Sequence, residues 1–430
     1  MYSPPISRAD PASLVSRWRV TDSKHLLDGK ALEVRQAGTL LGRLLGPAID
    51  RHPQQAMWAA AKGKKALRVL SRMGAFSAQA APDLAETLYI YFVQSVIVSA
   101  VLNTVLTAAD LQLIRTPQAI AARKAVWAGQ RVSQQVILRE LGWEPIEYPI
   151  LRSKLGLFEA IRALPRREYA RHVLDARMLD VAMRQGGKGL CGETFAFWSK
   201  LQSVQHWQEA GTIGRAPRVR KIRAAVSRMQ ELEWEEWCSS SSAQNGDYAA
   251  LAPPAGEAAT HLQWGSKLEI GLMVTMRAGA CALRGNKVGM SGNSDPAEWL
   301  CRLCPSGQRE NEHHLLLACP FYSGPRVLMQ QRLSRAWSRA QCVVYASSSP
   351  RERKMLLLGR RFPPQVACLP EAARRCDEAV KAFLREADAL RVQAGCQSLT
   401  ARHADIETCS EAFADECARE AEAAEDALSL

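Results

Sequence analysis

Cys301-Arg-Leu-Cys304 and, a few residues on, Glu310-Asn-Glu-His-His314-Leu-Leu-Leu-Ala-Cys319-Pro320 form the stretch that decides how this chain folds. Two thiols separated by two residues, then an imidazole and a third thiol, make a Cys3His set with the spacing for one tetrahedral zinc ion. Pro305-Ser306-Gly307, directly after the second thiol, supplies turn residues that fold the chain back. Glu310 to Ala318 reads as a short helix that presents an imidazole and hands Cys319 to the same point, where Pro320 stops it. Three thiolates suit zinc better than hard, oxygen-seeking cations. Cys301, Cys304, His314 and Cys319 fill all four positions, so the expected ion is structural, one per chain, with no place open for a catalytic water. The competing reading is four core residues that meet by chance. Scattered buried cysteine is common, but this spacing is not. His313 and His314 are adjacent and point about 100° apart on a helix, so one of them faces the metal. His314 is favoured, because it leaves Leu315, Leu316 and Leu317 to pack over the site; His313 stays open as the alternative.

Cys301, Cys304, Glu310, His314, Cys319, Pro320, Phe321 or Tyr322, and Arg326 together resemble the zinc-binding module that follows the polymerase domain in non-LTR retrotransposon reverse transcriptases. Leu272-Met-Val-Thr-Met-Arg277-Ala-Gly279 is similar to the run that leads into that module. Thr39-Leu-Leu-Gly42-Arg-Leu-Leu45 resembles the segment that closes the palm, with Leu40 in place of an aromatic residue. Tyr89, Val93 and Val96, with Leu111 and Gln118, resemble the helical thumb and connector. One departure is His313, where the family often has an acidic residue. The resemblance implies a mainly α chain: a thumb- and connector-like helical body, a small zinc module and an acidic helical tail. It also places Arg277 and Arg326 among the residues that contact nucleic acid.

Composition agrees with a folded chain. Of 430 residues, 47% are hydrophobic and 23% charged, which is globular and long enough for two or three domains. The net charge of +13 is uneven: Glu371 to Leu430 hold 14 acidic against 7 basic residues, leaving −7 there and +20 over residues 1–370. A body that basic suits a polyanion, and nucleic acid is the commonest one. Twelve cysteines without a secretory leader point to a reducing compartment, nucleus or cytoplasm. Thr87 to Ala109 carries no charge and reaches membrane-spanning length, but Ser95, Ser99 and Asn103 recur every fourth residue. That polar stripe predicts a buried helix of a soluble bundle instead, with no membrane partner.

The chain divides accordingly. Residues 1–52 are a loosely ordered leader and a palm-like end, with a turn at Asp28-Gly29 between two extended pieces; 53–237 form the basic helical body. Helices are expected over Gln54–Met73, Pro82–Ile114, Pro117–Leu141, Ile150–Ala163, Arg166–Arg184, Thr194–Ala210 and Ala216–Trp237, with Pro or Gly at the joints. Residues 238–261 read as a Ser, Pro and Gly linker, 262–345 as the zinc module and 346–430 as the acidic tail. In the tail, Cys376, Val380, Phe383, Ala387, Leu390 and Ala394 form a short heptad seam. Its three heptads predict a helix that packs within the chain, not an oligomer. A second acidic helix is expected over 401–427.

Arg166, Arg167 and Arg171, next to Arg162, form one basic group, and Arg218, Arg220, Lys221 and Arg223, with Arg215 and Arg228, form a second. On helices, Arg167 and Arg171 share a face, as do Arg220, Arg223 and Ser227, so each group can follow a phosphate backbone. Trp198, Trp207, Trp234 and Trp237 lie near the second group and could stack on unpaired bases. The plain alternative is a solvated basic face over core tryptophans.

Catalysis has no counterpart in the sequence. Polymerases of the family hold two magnesium ions on palm aspartates, in an aromatic-x-Asp-Asp turn, and no Asp-Asp pair occurs in these 430 residues. There is no phosphate-cradling Gly-x-x-x-x-Gly-Lys loop, no Gly-x-Ser-x-Gly elbow and no His-Glu-x-x-His helix. The expected function is a non-catalytic segment that holds RNA or target DNA, with the rest of a retroelement polymerase as a further partner. The alternatives are a zinc-stabilised scaffold for protein partners and a decayed retroelement relic.

Overall fold

The computed structural model describes residues 26–27, 30–31, 38–40, 43–45, 52–102, 104–129, 131–183, 189–201, 215–240, 247–286 and 296–400, and among them the chain is mainly helical. Two short antiparallel hairpins come first. β1 (Leu26–Leu27) pairs with β2 (Lys30–Ala31), as the Asp28-Gly29 turn signal predicts, and β3 (Gly38–Leu40) pairs with β4 (Arg43–Leu45). The proposed leader before Leu26 and the second acidic helix over 401–427 lie outside the described residues.

The first core is built by α1 (His52–Arg72), α2 (Pro82–Val101), α3 (Ala108–Val126) and α4 (Gln134–Leu141). The breaks differ from those the prolines suggested. Thr107 starts α3 with a capping box: its hydroxyl accepts from the Asp110 amide, and the Asp110 carboxylate accepts from the Thr107 amide at 2.9 Å. That pair satisfies two orphan amides and outweighs Pro117, which sits inside α3. Proline is tolerated there because it serves packing. A Cβ on Gly63 of α1 would lie 2.8 Å from Ile97 Cδ1 of α2 and 3.4 Å from Pro117 Cγ, so the missing side chain lets three helices close on one another. Trp127, at φ 56°, and Gly142, at φ 70°, end α3 and α4 in left-handed turns.

Within α2, Ile90–Gln94 form a wider π turn between two α segments. Its buried side is Ala85, Tyr89, Val93, Ile97 and Ala100. Asn103 lies outside the described residues; Ser95 and Ser99 are exposed, so these two members of the polar stripe face outward. Their hydroxyls turn back to the Tyr91 and Val96 carbonyls, which lets serine occupy a helix surface without a tertiary partner. The helix is long and apolar enough to span a membrane by length and composition, with 33% of that window buried.

A second group, α5 (Glu147–Arg162), α6 (Tyr169–Met183), α7 (Gly189–Lys200) and α8 (Arg215–Ser240), closes around Tyr148, Leu155, Phe158, Leu174, Phe197, Trp198 and Val226. The chain after α8 does not run free over its described part. Tyr248 is buried and its hydroxyl donates to the Val136 carbonyl, Arg139 Nε donates to the Pro253 carbonyl at 2.8 Å, and the Ala259 amide to the Glu140 carbonyl at 2.7 Å. Over 247–261 the linker expectation fails because Tyr248, Leu251 and Ala259 bury apolar surface among the prolines and glycines.

The hub is α9 (Lys267–Arg277), started by a Ser266–Glu269 capping box and buried from Ile270 to Arg277. Ile270 and Val274, one turn apart, pack into the first core, while Leu272, Met273 and Met276 pack into a third core, shared with α10 (Ser323–Ala336), α11 (Arg339–Ser347), α12 (Pro350–Leu357) and α13 (Pro370–Gln393). A Cβ on Gly271 would lie 2.3 Å from the Trp127 carbonyl oxygen, so glycine sets how closely α9 meets the end of α3. The expected seam on α13 is largely buried: Val380, Phe383 and Ala387 are fully so and Cys376 and Leu390 partly, while Ala394 is exposed just past the helix end.

A candidate metal centre

The loop from Trp299 to Glu310 folds into a tight ribbon, with the Cys301 amide bonded to the Gln308 carbonyl at 2.9 Å and the Glu310 amide to the Trp299 carbonyl at 2.8 Å. Gly307, at φ 61°, makes the reversal. The ribbon brings Cys301 and Cys304 to one end. Asn311 then accepts from the His314 amide at 2.8 Å and starts a short turn. Residues His314–Ala318 form a single π turn in place of the α-helix expected from Glu310, closed by the Cys319 amide on the His314 carbonyl at 2.7 Å. The wider turn places residue 319 beneath residue 314, and Pro320 ends it.

Cys301, Cys304, His314 and Cys319 are all buried, and their ligand atoms lie within 4.8 Å of one another. The Cys301 and Cys319 sulfurs are 3.9 Å apart, and Cys304 Sγ is 3.3 Å from His314 Nε2. His314, not His313, joins the group. Its Nδ1 lies 2.8 Å from Gln308 Oε1; donation of the Nδ1 proton there leaves the Nε2 lone pair aimed at the centre. Burial opposes ionisation of Cys304, but hydrogen bonds from the Ser306 hydroxyl and backbone amide outweigh it and hold that thiol below its ordinary value. Burial pushes Cys301 up, and Cys319 up to about 12. These four donors can hold one metal ion, and its charge would relieve the crowding of sulfurs.

Two arginine-centred links fix the centre in place, and a third ties α9 to its neighbours. Arg326, at the start of α10, donates Nε to the Leu316 carbonyl at 2.9 Å and Nη2 to the Leu315 and Cys319 carbonyls at 3.1 and 2.8 Å. The Leu315 and Leu316 carbonyls are left over where the turn stops, while the Cys319 carbonyl also accepts from the Tyr322 amide at 3.2 Å. Glu310 is buried and accepts from the Arg284 amide at 2.9 Å and from Arg391 Nη1 of α13. Arg277 donates Nε to Glu140 at 2.9 Å and its terminal nitrogens to the Leu251 and Leu358 carbonyls. Arg277 and Arg326, expected on nucleic acid, are therefore turned inward: each finds carbonyl oxygens that the fold would otherwise bury without a donor.

The other basic residues divide. Arg166, Arg167, Arg220 and Arg223 are exposed, Lys221 is half-buried and Arg171 is bound to Asp175 at 2.8 Å. Arg167 precedes α6, so it shares no helical face with Arg171. Arg218 lies in α8, with its side chain outside what is described. Trp198 is buried in its core, and Trp234 stacks on Trp237 with the Arg139 guanidinium over its ring, so these tryptophans serve packing; Trp207 lies outside the described residues. Gln308, Arg284 and Arg391 were not foreseen. Gln308, six residues before the histidine, was the only one with a local signal. Compared with known proteins, the chain matches no family model, no curated protein and no solved structure.

Proposed function

We propose that the chain is the non-catalytic, nucleic-acid-binding part of a retroelement reverse transcriptase, built around one structural zinc ion. The donor geometry supports the metal. Zinc bonds of about 2.3 Å to sulfur and about 2.1 Å to nitrogen put tetrahedral ligands about 3.8 Å (S to S) and about 3.6 Å (S to N) apart. The corresponding separations are 3.9 and 3.3 Å. The observation that carries the binding reading is the exposed set Arg166, Arg167, Arg220 and Arg223, all within residues 147–240, where 16 basic residues stand against 11 acidic ones. Cations left in solvent beside one another are what a phosphate backbone needs. With no palm aspartate pair, the chain is expected not to extend a primed template.

Fluorescence anisotropy with a labelled single-stranded RNA tests this. Four phosphate contacts give about a 50-fold loss of affinity between about 50 and about 200 mM salt. The quadruple variant R166E/R167E/R220E/R223E should remove most of the binding and the salt slope. An affinity indifferent to both would remove the reading. One observation favours a protein-binding scaffold as the second reading: Leu84, Tyr91 and Phe92 on α2 are 50%, 70% and 54% exposed. Protein capture from nuclease-treated extract that is lost in Y91S/F92S, with no RNA affinity, would establish it instead.

A further inference from the structure

A cavity of about 410 Å³ adjoins the metal centre, between the loop that carries Trp299 and Arg302 and the turn after α13. This is within the range of small-ligand sites. Its floor is the Glu310–Arg391 ion pair, buried and internally satisfied, so recognition falls to the walls. Two cations, Arg284 and Arg302, and one aromatic ring, Trp299, which already carries the Arg309 guanidinium 5.6 Å from its centroid, stand there against a single exposed carboxylate, Glu298. Arg284 Nε donates to the Glu298 carbonyl at 2.7 Å, which pins its guanidinium to the wall. Arg302 lies between two of the metal-ligand cysteines, so the same ribbon that binds the ion sets its position.

We propose that this cavity is a subsite for one unpaired nucleotide, with the phosphate against Arg302 and Arg284 and the base against Trp299. Guanidinium pairs with phosphate through parallel N–H donors, and an indole offers a flat apolar face to any base. The two wall guanidiniums and the indole favour an anionic, planar ligand. The inference rests on the nucleic-acid reading and adds a place where a strand is held by a base as well as by its backbone. The same chemistry belongs to a free nucleoside monophosphate, so both sources are tested.

The experiment uses the full zinc-loaded chain with two probes, a labelled single-stranded RNA by anisotropy and AMP by equilibrium dialysis. The variants are R302E and W299A; R332E, a charge reversal on α10 outside the cavity lining, controls for net charge, and zinc content reports folding. Loss of RNA affinity by about tenfold in R302E and W299A, but not in R332E, supports the subsite. AMP bound by the wild type and lost in R302E, with no RNA affinity, supports the cavity while removing the strand-binding reading. RNA bound equally by all the variants overturns the subsite and leaves that reading intact. No affinity for either probe overturns both.

Discussion

At the scale of single residues, the metal ligands and the groups that hold them respond differently to substitution. Cys301→Ser removes one of three thiolates. If the proposed ion is zinc, native mass spectrometry should show one zinc per chain in the wild type and none in this variant, and the region should melt, because zinc binding in such modules is worth on the order of 10 kcal/mol. Gln308→Ala leaves all four donors and deletes only the acceptor that orients the imidazole, so metal affinity should fall about 10- to 100-fold in a chelator competition while the fold persists. His313→Ala should leave zinc content unchanged. Asp377 gives a pH test away from the metal. Burial raises its carboxyl to about 6 from 3.8, so the folded state holds this proton more tightly than the unfolded chain. Its contribution is fully present below the unfolded value and is lost as pH rises through about 6. Denaturant titrations between about pH 4 and 7 should show a fall of at most about 3 kcal/mol, flattened in Asp377→Asn.

At the scale of elements, what was legible in the sequence was local. Cys-x-x-Cys, the histidine and Cys319 could be grouped from spacing alone, and the helix preceding Gly74 and the pairing of β1 with β2 carried their own signals. What escaped was set by residues far apart in the chain. Arg277 and Glu140 are 137 positions apart and Arg391 and Glu310 are 81 apart, and nothing near an arginine in sequence says whether it will meet a buried carboxylate. The run Leu272–Gly279, most of which lies in α9, was read as a lead-in to the zinc module from its likeness to a family segment, and the apolar residues of this helix show no single face. It has none to show, since two cores claim opposite sides. Gly271→Ala tests that role: the added methyl has backbone 2.3 Å away and cannot be relieved by a side-chain rotation. A loss of about 3 kcal/mol is expected by denaturant titration, while Gly324→Ala, with nothing within 4 Å, should cost little.

At the scale of the whole molecule, the three cores are expected to differ in their dependence on the proposed metal. Cys301, Cys304 and Cys319 belong to the same cluster as Phe383 and Leu384 of α13 and Met273 of α9. Chelation should therefore speed amide hydrogen exchange in α9, α10 and α13, while α5 to α8, which share no cluster with these cysteines, stay protected. Uniform loss of protection would mean that the cores unfold as one.

The link from Glu310 to Arg391 also constrains how the protein is made. While a ribosome is still short of α13, Glu310 lacks the Arg391 guanidinium and the core that holds the sulfurs lacks Phe383 and Leu384. The nascent chain must carry its thiols unsheltered for the time needed to add some 70 more amino acids after Cys319, a matter of seconds at bacterial or eukaryotic elongation speeds. Early capture of the ion would shield those sulfurs from oxidation before α13 arrives.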